Sequence, residues 1–439
     1  MDRIKFYLKY AIAVFVFLVS GLPVRSQNTS DTLSLSKIIK TIVENHPSVK
    51  EALEAINSAN AGIGLAKSGY FPTIDATASY ARIGPVQELT FPGFGTFQLY
   101  PADNYSANLN YYQTVFDFGK TMKNVALAKE IKNLNQQTLE QVKQKLAYTA
   151  VMIYYSVVYL QQAIAINKEH MSTLKDHLDF IEKKNETGSA TQYEILATKV
   201  KISNIESIGI DLQASLKNQI TELNELMVQP ANKVFAVKEE LDVAHPDMPY
   251  DSLLTFAYEN RDELKIAQKK TEISRLKYKV IKAQDYPNLN IQLSGGAKNG
   301  YIPDLKILKF NFMAGAGLKI PVFNGLRTKN NLIQARSAIK MNEFQTELTK
   351  SSINTSISES EENLKASLKK TEHFRLQLNL SKEAYRLAQT NYEAGTTTNL
   401  DLLDATMAVS ESQLLLLKAR IEYVTNIYKL KLFLGERLY

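Results

Sequence analysis

The sequence predicts a mainly α, internally duplicated fold in which each half carries a pair of amphipathic strands and a very long antiparallel helical hairpin. Three observations predict it: backbone breakers are scarce, a repeat spans nearly the whole chain, and two-residue alternation is confined to four short segments. Gly 18 and Pro 12 in 439 residues are about 4% and 3%, under the usual ~7% and ~5%, so long uninterrupted helices follow. Hydrophobic content of 45% with 22% charge is enough to build a core. It excludes wholesale disorder and a stack of membrane-spanning helices. The absence of Cys excludes disulfides, thiolate metal sites, a cysteine nucleophile and a lipid anchor on an N-terminal Cys.

Residues 1–26 read as a secretory signal. Arg3, Lys5 and Lys9 precede the apolar run from Tyr10 to Val19, and Val24-Arg25-Ser26 precedes Gln27. The alternative, a membrane anchor, needs an apolar run of ~20 residues, about twice the one present, and Gly21 and Pro23 follow it. Removing Arg3, Lys5, Lys9, Arg25 and Asp2 takes the formal charge from +7 to +4. Such a mild excess gives no case for nucleic acid as a partner.

The remainder repeats itself. Glu44-Asn45-His46-Pro47 and Lys67 with Phe71-Pro72-Thr73-Ile74 recur 215 residues later as Glu259-Asn260-Arg261-Asp262 and Lys282 with Tyr286-Pro287-Asn288-Leu289. Beyond them the offset falls to 207, at which Val115-Phe116 matches Val322-Phe323 and Gly188 to Leu196 matches Gly395 to Leu403. The difference falls in Gly/Pro-rich loop sequence. The division expected is a first repeat over 27–229, a connector over 230–249 and a second repeat over 250–439. Each repeat opens on a helix, Ser36 to Ser68 or Tyr250 to Asp285. A run free of Gly and Pro comes later, Thr121 to Thr187 or Leu326 to Ala394, long enough for ~100 Å of helix. A returning helix follows. In the second long run Ile353, Ile357, Leu364, Phe374 and Leu378 share a seam with Ser360, Ser367 and Thr371, which suits close side-by-side packing.

Between leading and long helices lie the strands. Ile74, Ala76, Ala78 and Tyr80 alternate with Thr73, Asp75, Thr77 and Ser79, and Tyr105, Ala107, Leu109 and Tyr111 alternate with Asn104, Ser106, Asn108 and Asn110. In the second half Leu289, Ile291 and Leu293 alternate with Asn288, Asn290 and Gln292, and Phe310, Phe312, Ala314, Ala316 and Leu318 follow the same rule. One face is apolar and the other wet, as on a half-buried sheet over a soluble core or in a membrane barrel. Four strands cannot close around a water-filled lumen, and an open edge does not survive in lipid, so a barrel requires several chains. The segments Arg82 to Asp103 and Gly295 to Leu308 read as exposed loops. Aromatics near the strand ends, among them Tyr80, Tyr105, Tyr112 and Phe310, suit an interface girdle or ordinary packing.

Signal, duplication, strand pairs and long hairpins, together with Tyr392-Glu393-Ala394-Gly395-Thr396-Thr397-Thr398-Asn399-Leu400-Asp401-Leu402-Leu403-Asp404-Ala405 and its weaker copy from Glu186 to Leu196, resemble the TolC-type outer membrane efflux family. The resemblance implies a homotrimer with a 12-stranded barrel in outer membrane lipid, continued by a helical tunnel through the periplasm. It also implies a periplasmic adaptor protein and an inner membrane transporter as partners. Asp401 and Asp404 occupy the positions of that family's lumenal acidic ring; three copies bring six carboxylates together, which favours cations and raises their pKa values. The bland alternative is a solvated helix face near a helix N-terminus. Glu194 is the first-half counterpart of Asp401, a lumenal or an ordinary surface charge, and Tyr392 matches a tyrosine that latches the closed tip. Thr397 stands where the best-known members have Arg, which removes an ionic part of such a latch. Gly188 and Gly395 are expected to reverse the hairpins. With Thr191 and Thr398 they mark the tips where an adaptor docks.

No constellation for catalysis is present. Gly62-Ile63-Gly64-Leu65-Ala66-Lys67-Ser68 lacks phosphate-loop spacing, and neither a Gly-x-Ser-x-Gly elbow nor a His-Glu-x-x-His pair occurs. His170 and His177 near Asp176 and Asp179 read as surface residues before they read as metal ligands. The function expected is the exit duct of a multicomponent efflux or secretion system, with no cofactor and no metal. The contrasting expectation is a structural or adhesive envelope protein with no conducting lumen.

Overall fold

The computed structural model describes residues 32–245 and 248–439. The expected signal segment lies outside the described residues. In chain order the elements are β1 (Thr32–Leu33), α1 (Leu35–Asn45), α2 (Pro47–Lys67), β2 (Thr73–Arg82), β3 (Glu88–Phe91), β4 (Gly95–Gln98), β5 (Asp103–Phe116), α3 (Lys120–Glu186) and α4 (Gln192–Leu226). After them come β6 (Ala236–Val237), α5 (Tyr250–Asn260), α6 (Asp262–Lys282), β7 (Asn288–Lys298), β8 (Lys309–Lys319), α7 (Arg327–Glu393) and α8 (Asn399–Leu434).

The two long runs are single helices of 67 residues each, α3 and α7, about 100 Å long at 1.5 Å per residue. Neither has a partner of equal length. The first part of α3 lies against α2, where Asn135 Nδ2 donates to the Ala55 carbonyl at 3.1 Å. Its last part lies against α4, where Asn167 Nδ2 donates to the Ile205 carbonyl at 3.1 Å. The second half repeats this. Asn342 Nδ2 donates to Ser274 Oγ of α6 at 2.8 Å, and further on Ser381 and Ser412 of α8 share a hydrogen bond of 2.8 Å. Ile353, Ile357, Ser360, Leu364, Ser367 and Thr371 are buried as the seam pattern requires, with Phe374 and Leu378 half-buried.

Each leading helix is broken in two rather than continuous. His46 takes φ −63°, ψ 134° because Pro47 disfavours helical backbone at the residue before it. Arg261 takes φ −63°, ψ 128° without a proline. There the C-terminus of α8 closes in: Gly435 is left-handed at φ 80°, and a Cβ on it would stand 2.7 Å from the Asn260 carbonyl carbon. Beyond it Arg437 grips buried Asp262 with two bonds of 2.6 and 2.9 Å, and Gln137 donates to the same carboxylate.

Ile38 and Ile42 of α1, Ala147, Val151, Tyr154, Tyr155 and Val158 of α3, Leu223 of α4 and Val424 of α8 form the largest core. Somewhere along its length α3 holds a stretch apolar enough to cross a membrane by composition. Its apolar residues are instead used where the connector wraps the helices, with Tyr155 donating to the Glu240 carbonyl at 2.9 Å and β6 pairing with β1.

The four long strands form one antiparallel sheet in the order β2-β5-β7-β8. Two loop expectations change. The segment 83–102 contains its own hairpin, β3 with β4, and Gly295 and Gly296 belong to β7. Gly296 is required there, since a Cβ would lie 2.1 Å from the Ala107 carbonyl oxygen of β5.

Candidate functional site

Cross-strand register decides what the sheet can face. Ile74 pairs with Tyr111 and Tyr111 with Leu293, which pairs with Ala314. Ala76, Leu109, Gly295 and Phe312 make the next apolar row. The other side carries the rows Thr77-Asn108-Gly296-Asn311 and Asp75-Asn110-Ser294-Met313. Its side chains bond across strands: Ser79 with Ser106 at 2.8 Å, Asn110 Nδ2 to Thr77 Oγ1 at 3.1 Å, and Ser294 Oγ to Asn110 Oδ1 at 2.9 Å. The alternation expected strand by strand is thus continuous over the sheet, and Leu109, Phe310 and Phe312 are 57%, 77% and 80% exposed in the single chain. Among the described residues the outer edges of β2 and β8 have no strand partner.

At the opposite end, both helix reversals use the same local chemistry. Gly188 and Gly395 have φ 73° and 74°, the left-handed conformation that closes a helix C-terminus. The Ser189 and Thr396 amides donate back to the Lys184 and Asn391 carbonyls at 2.8 and 2.9 Å. Thr191 and Thr398, expected at the adaptor-facing turns, are N-caps: their Oγ1 atoms accept from the Glu194 and Asp401 amides at 3.3 and 3.2 Å.

The acidic residues divide their roles. The Asp401 carboxylate accepts from the Thr398 amide at 3.1 Å, the Thr398 hydroxyl at 2.6 Å and the Thr397 hydroxyl at 3.0 Å, completing a capping box. These bonds, the Thr398 hydroxyl first, hold its carboxyl below the usual value. Asp404 is one turn further along α8 and lies 3.8 Å from Lys201 Nζ of α4, with its side chain 63% exposed.

Tyr392 and Glu194 are brought together. The buried Tyr392 hydroxyl donates to Glu194 Oε2 at 3.0 Å, tying α7 of the second hairpin to α4 of the first. Burial and this carboxylate push the phenol well above its usual pKa. Two residues outside the matched repeat segments, His177 and Lys184, complete the contact together with Asn399. His177 Nε2 bonds Asn399 Oδ1 at 2.7 Å, its ring meets Tyr392 edge-on at 5.5 Å between centroids, and Lys184 Nζ sits 4.7 Å from the Tyr392 ring centre. Burial holds the His177 imidazole below its usual pKa, with Glu194 opposing and Lys184 reinforcing the shift. His170 is buried, at 6% exposure, which overturns its surface reading, while His177 is half-buried in the contact just described. The one signal for His177 was asymmetry, since its counterpart at the 207 offset is Ala384. Among the described residues no cluster of three or more metal-ligating side chains occurs.

The model of the family described as outer membrane efflux protein matches residues 38–227 and 253–436, taking in both hairpins and all four long strands. The chain belongs to the outer membrane efflux protein family. Nodulation protein T of Rhizobium leguminosarum bv. viciae is 23% identical over 391 residues, covering 87% of this chain and 77% of the relative. Outer membrane protein TolC of Vibrio cholerae is 19% identical over 407 residues, covering 92% and 90%. Among solved structures, the outer membrane protein VceC of Vibrio cholerae superposes with a TM-score of 0.77 at 18% identity, covering 91% of this chain and 96% of that one. This family member is an exit duct of the bacterial outer membrane, reaching into the periplasm.

Proposed function

We propose that three copies of this chain join β8 of one to β2 of the next, forming a 12-stranded barrel around one lumen, with the long hairpins continuing as a tunnel. The observation that carries this is the sheet: one largely apolar face, interrupted by Gln113 and ending in the Arg82–Asp103 pair, one largely polar face and two edges without a strand partner among the described residues. Four strands per chain alternate in direction, so β8 of one copy meets β2 of the next antiparallel for any number of copies. Closure removes both edges, as lipid requires. The polar rows then line water and the Leu109, Ile291 and Phe312 face meets hydrocarbon.

At the tips, the Tyr392–Glu194 bond holds the two hairpins of one chain together and acts as a latch. Asp404, and Asp401 on release of its cap, form the narrowest cation-attracting ring. The turns at Gly188 and Gly395, with the capping Thr191 and Thr398, present the surface for a periplasmic adaptor, which couples the duct to an inner membrane transporter. The cargo is small toxic molecules or secreted product, and energy comes from the inner membrane partner.

The native chain has no cysteine, so single-cysteine labels test the barrel directly. Labels at Asn108, Asn110, Asn290 and Gln292 are expected to be accessible from water, and labels at Leu109 and Ile291 to report lipid. A purified oligomer of three chains that conducts in planar bilayers completes the test. No contrast between the faces, with no current after confirmed insertion, favours a structural envelope protein instead.

A further inference from the structure

We propose that Lys298 and Lys309 form an anion-binding collar inside the outer mouth of the barrel, taking soluble multivalent anions that carry phosphate or sulfate groups. The inference rests on the barrel reading above. Lys298 closes β7 and Lys309 opens β8, at the end of the sheet remote from the helices, and the register sets them directly opposite each other. Both belong to the polar face, in the row Ser79-Ser106-Lys298-Lys309. Like charges directly opposite destabilise a strand pair, and neither neighbour in the row is acidic.

The compensation available is local and incomplete. Lys309 Nζ is 3.3 Å from Asp304 in the connecting loop, while Lys298 Nζ lies over the Tyr301 ring at 5.3 Å. Elsewhere on the polar face of the four strands the charged residues are Lys319, at the helix end opposite Asn288, and Asp75. Asp75 is four residues along β2 from the collar row, about 13 Å at the strand rise, which exceeds the ~8 Å screening length of physiological salt. It therefore does not neutralise the lysines. Three copies place six ammonium groups in one ring facing the lumen. A lipid phosphate does not reach this ring, because the lysines stand on the face opposite Phe310 and Phe312.

The test is conductance of the full-length oligomer in planar bilayers of neutral lipid at low salt, with inositol hexakisphosphate added to either side as the probe. Block is expected from the strand-loop side, weakening as salt rises. Lys298→Gln with Lys309→Gln is expected to raise the half-blocking concentration at least about tenfold, the lower end of electrostatic focusing in a charged cleft. Lys298→Arg with Lys309→Arg retains block, showing that an altered sheet is not the cause, and Lys319→Gln also retains it. A conducting wild type that the probe does not block overturns the collar and leaves the duct standing, as does equal block of the Gln pair. A response to anionic lipid in the bilayer without one to the soluble probe overturns it too. Absence of current from every inserted variant instead removes the barrel reading on which it rests.

Discussion

Replacing Tyr392 with Phe deletes one hydroxyl and leaves the ring against His177, Phe180 and Lys184 in place. The bond lost is a 3.0 Å donation from a side chain 7% exposed to a carboxylate on the other hairpin. Hydrogen bonds to charged groups contribute about 1.5–3 kcal/mol. Glu194 is only half-buried and regains water when released, so a value at or just below the low end of that range applies, about 1–2 kcal/mol. That is a roughly 5- to 30-fold change in a two-state population. Amide hydrogen exchange of the assembled oligomer reads it locally, because segments open with their own free energies. Amides in 180–200 and 390–405 are expected to exchange about 5–30 times faster, while those around Tyr154 and Val158 in the largest core do not change. Glu194→Ala, which removes the acceptor, is expected to produce a similar effect, and the double variant little more than either single one. Unchanged exchange at the tip in Tyr392→Phe, or full additivity of the two substitutions, refutes the latch.

Acidification is expected to loosen the same contact through His177. Its folded pKa is depressed by burial, so the unfolded or opened tip binds more protons, and its contribution is present above about pH 6.5 and lost as pH falls through the folded value. Tip exchange corrected for intrinsic rate should therefore rise below about pH 6.5 in the wild type and stay flat in His177→Gln. Asp401 is also depressed, but as a carboxylate its capping contribution persists above the ordinary value near 3.8 and is lost only in stronger acid, so it predicts no change between pH 7 and 5. Paired Asp401→Asn and Asp404→Asn substitutions should reduce cation selectivity and divalent block in single-channel recordings. Gly296→Ala brings a methyl 2.1 Å from the Ala107 carbonyl oxygen and should abolish barrel assembly on membrane extraction, whereas Gly395→Ala, with open space around it, should cost only the ~1–2 kcal/mol of left-handed backbone. Arg437→Ala leaves buried Asp262 with Gln137 alone, a loss of about 1–3 kcal/mol to be read as faster exchange at the start of α6.

Period and repetition made most of the architecture legible in one dimension. The absence of Gly and Pro from Thr121 to Thr187 and from Leu326 to Ala394 sets two unbroken helices, because each residue adds a backbone hydrogen bond wherever nothing interrupts the ladder. Alternation from Thr73 to Tyr80 and from Asn104 to Tyr111 assigns inner and outer faces, because a strand turns successive side chains to opposite sides. Gly188 and Gly395 mark the hairpin turns through a conformation that other residues seldom adopt. Tertiary structure alone decided the rest. The break at Arg261 has no proline to announce it and is matched to Gly435, far along the chain. Asp401 is committed to a cap and Asp404 to Lys201, although their sequence spacing is the same as that of two free carboxylates. His177, Asn399, Tyr392 and Glu194 come from four helices and meet only when the hairpins are packed, so no periodicity within one segment records their contact. Lys298 and Lys309 likewise oppose each other through the pairing of β7 with β8. Local backbone preference is written residue by residue, while contact between distant segments is written in how their buried faces fit.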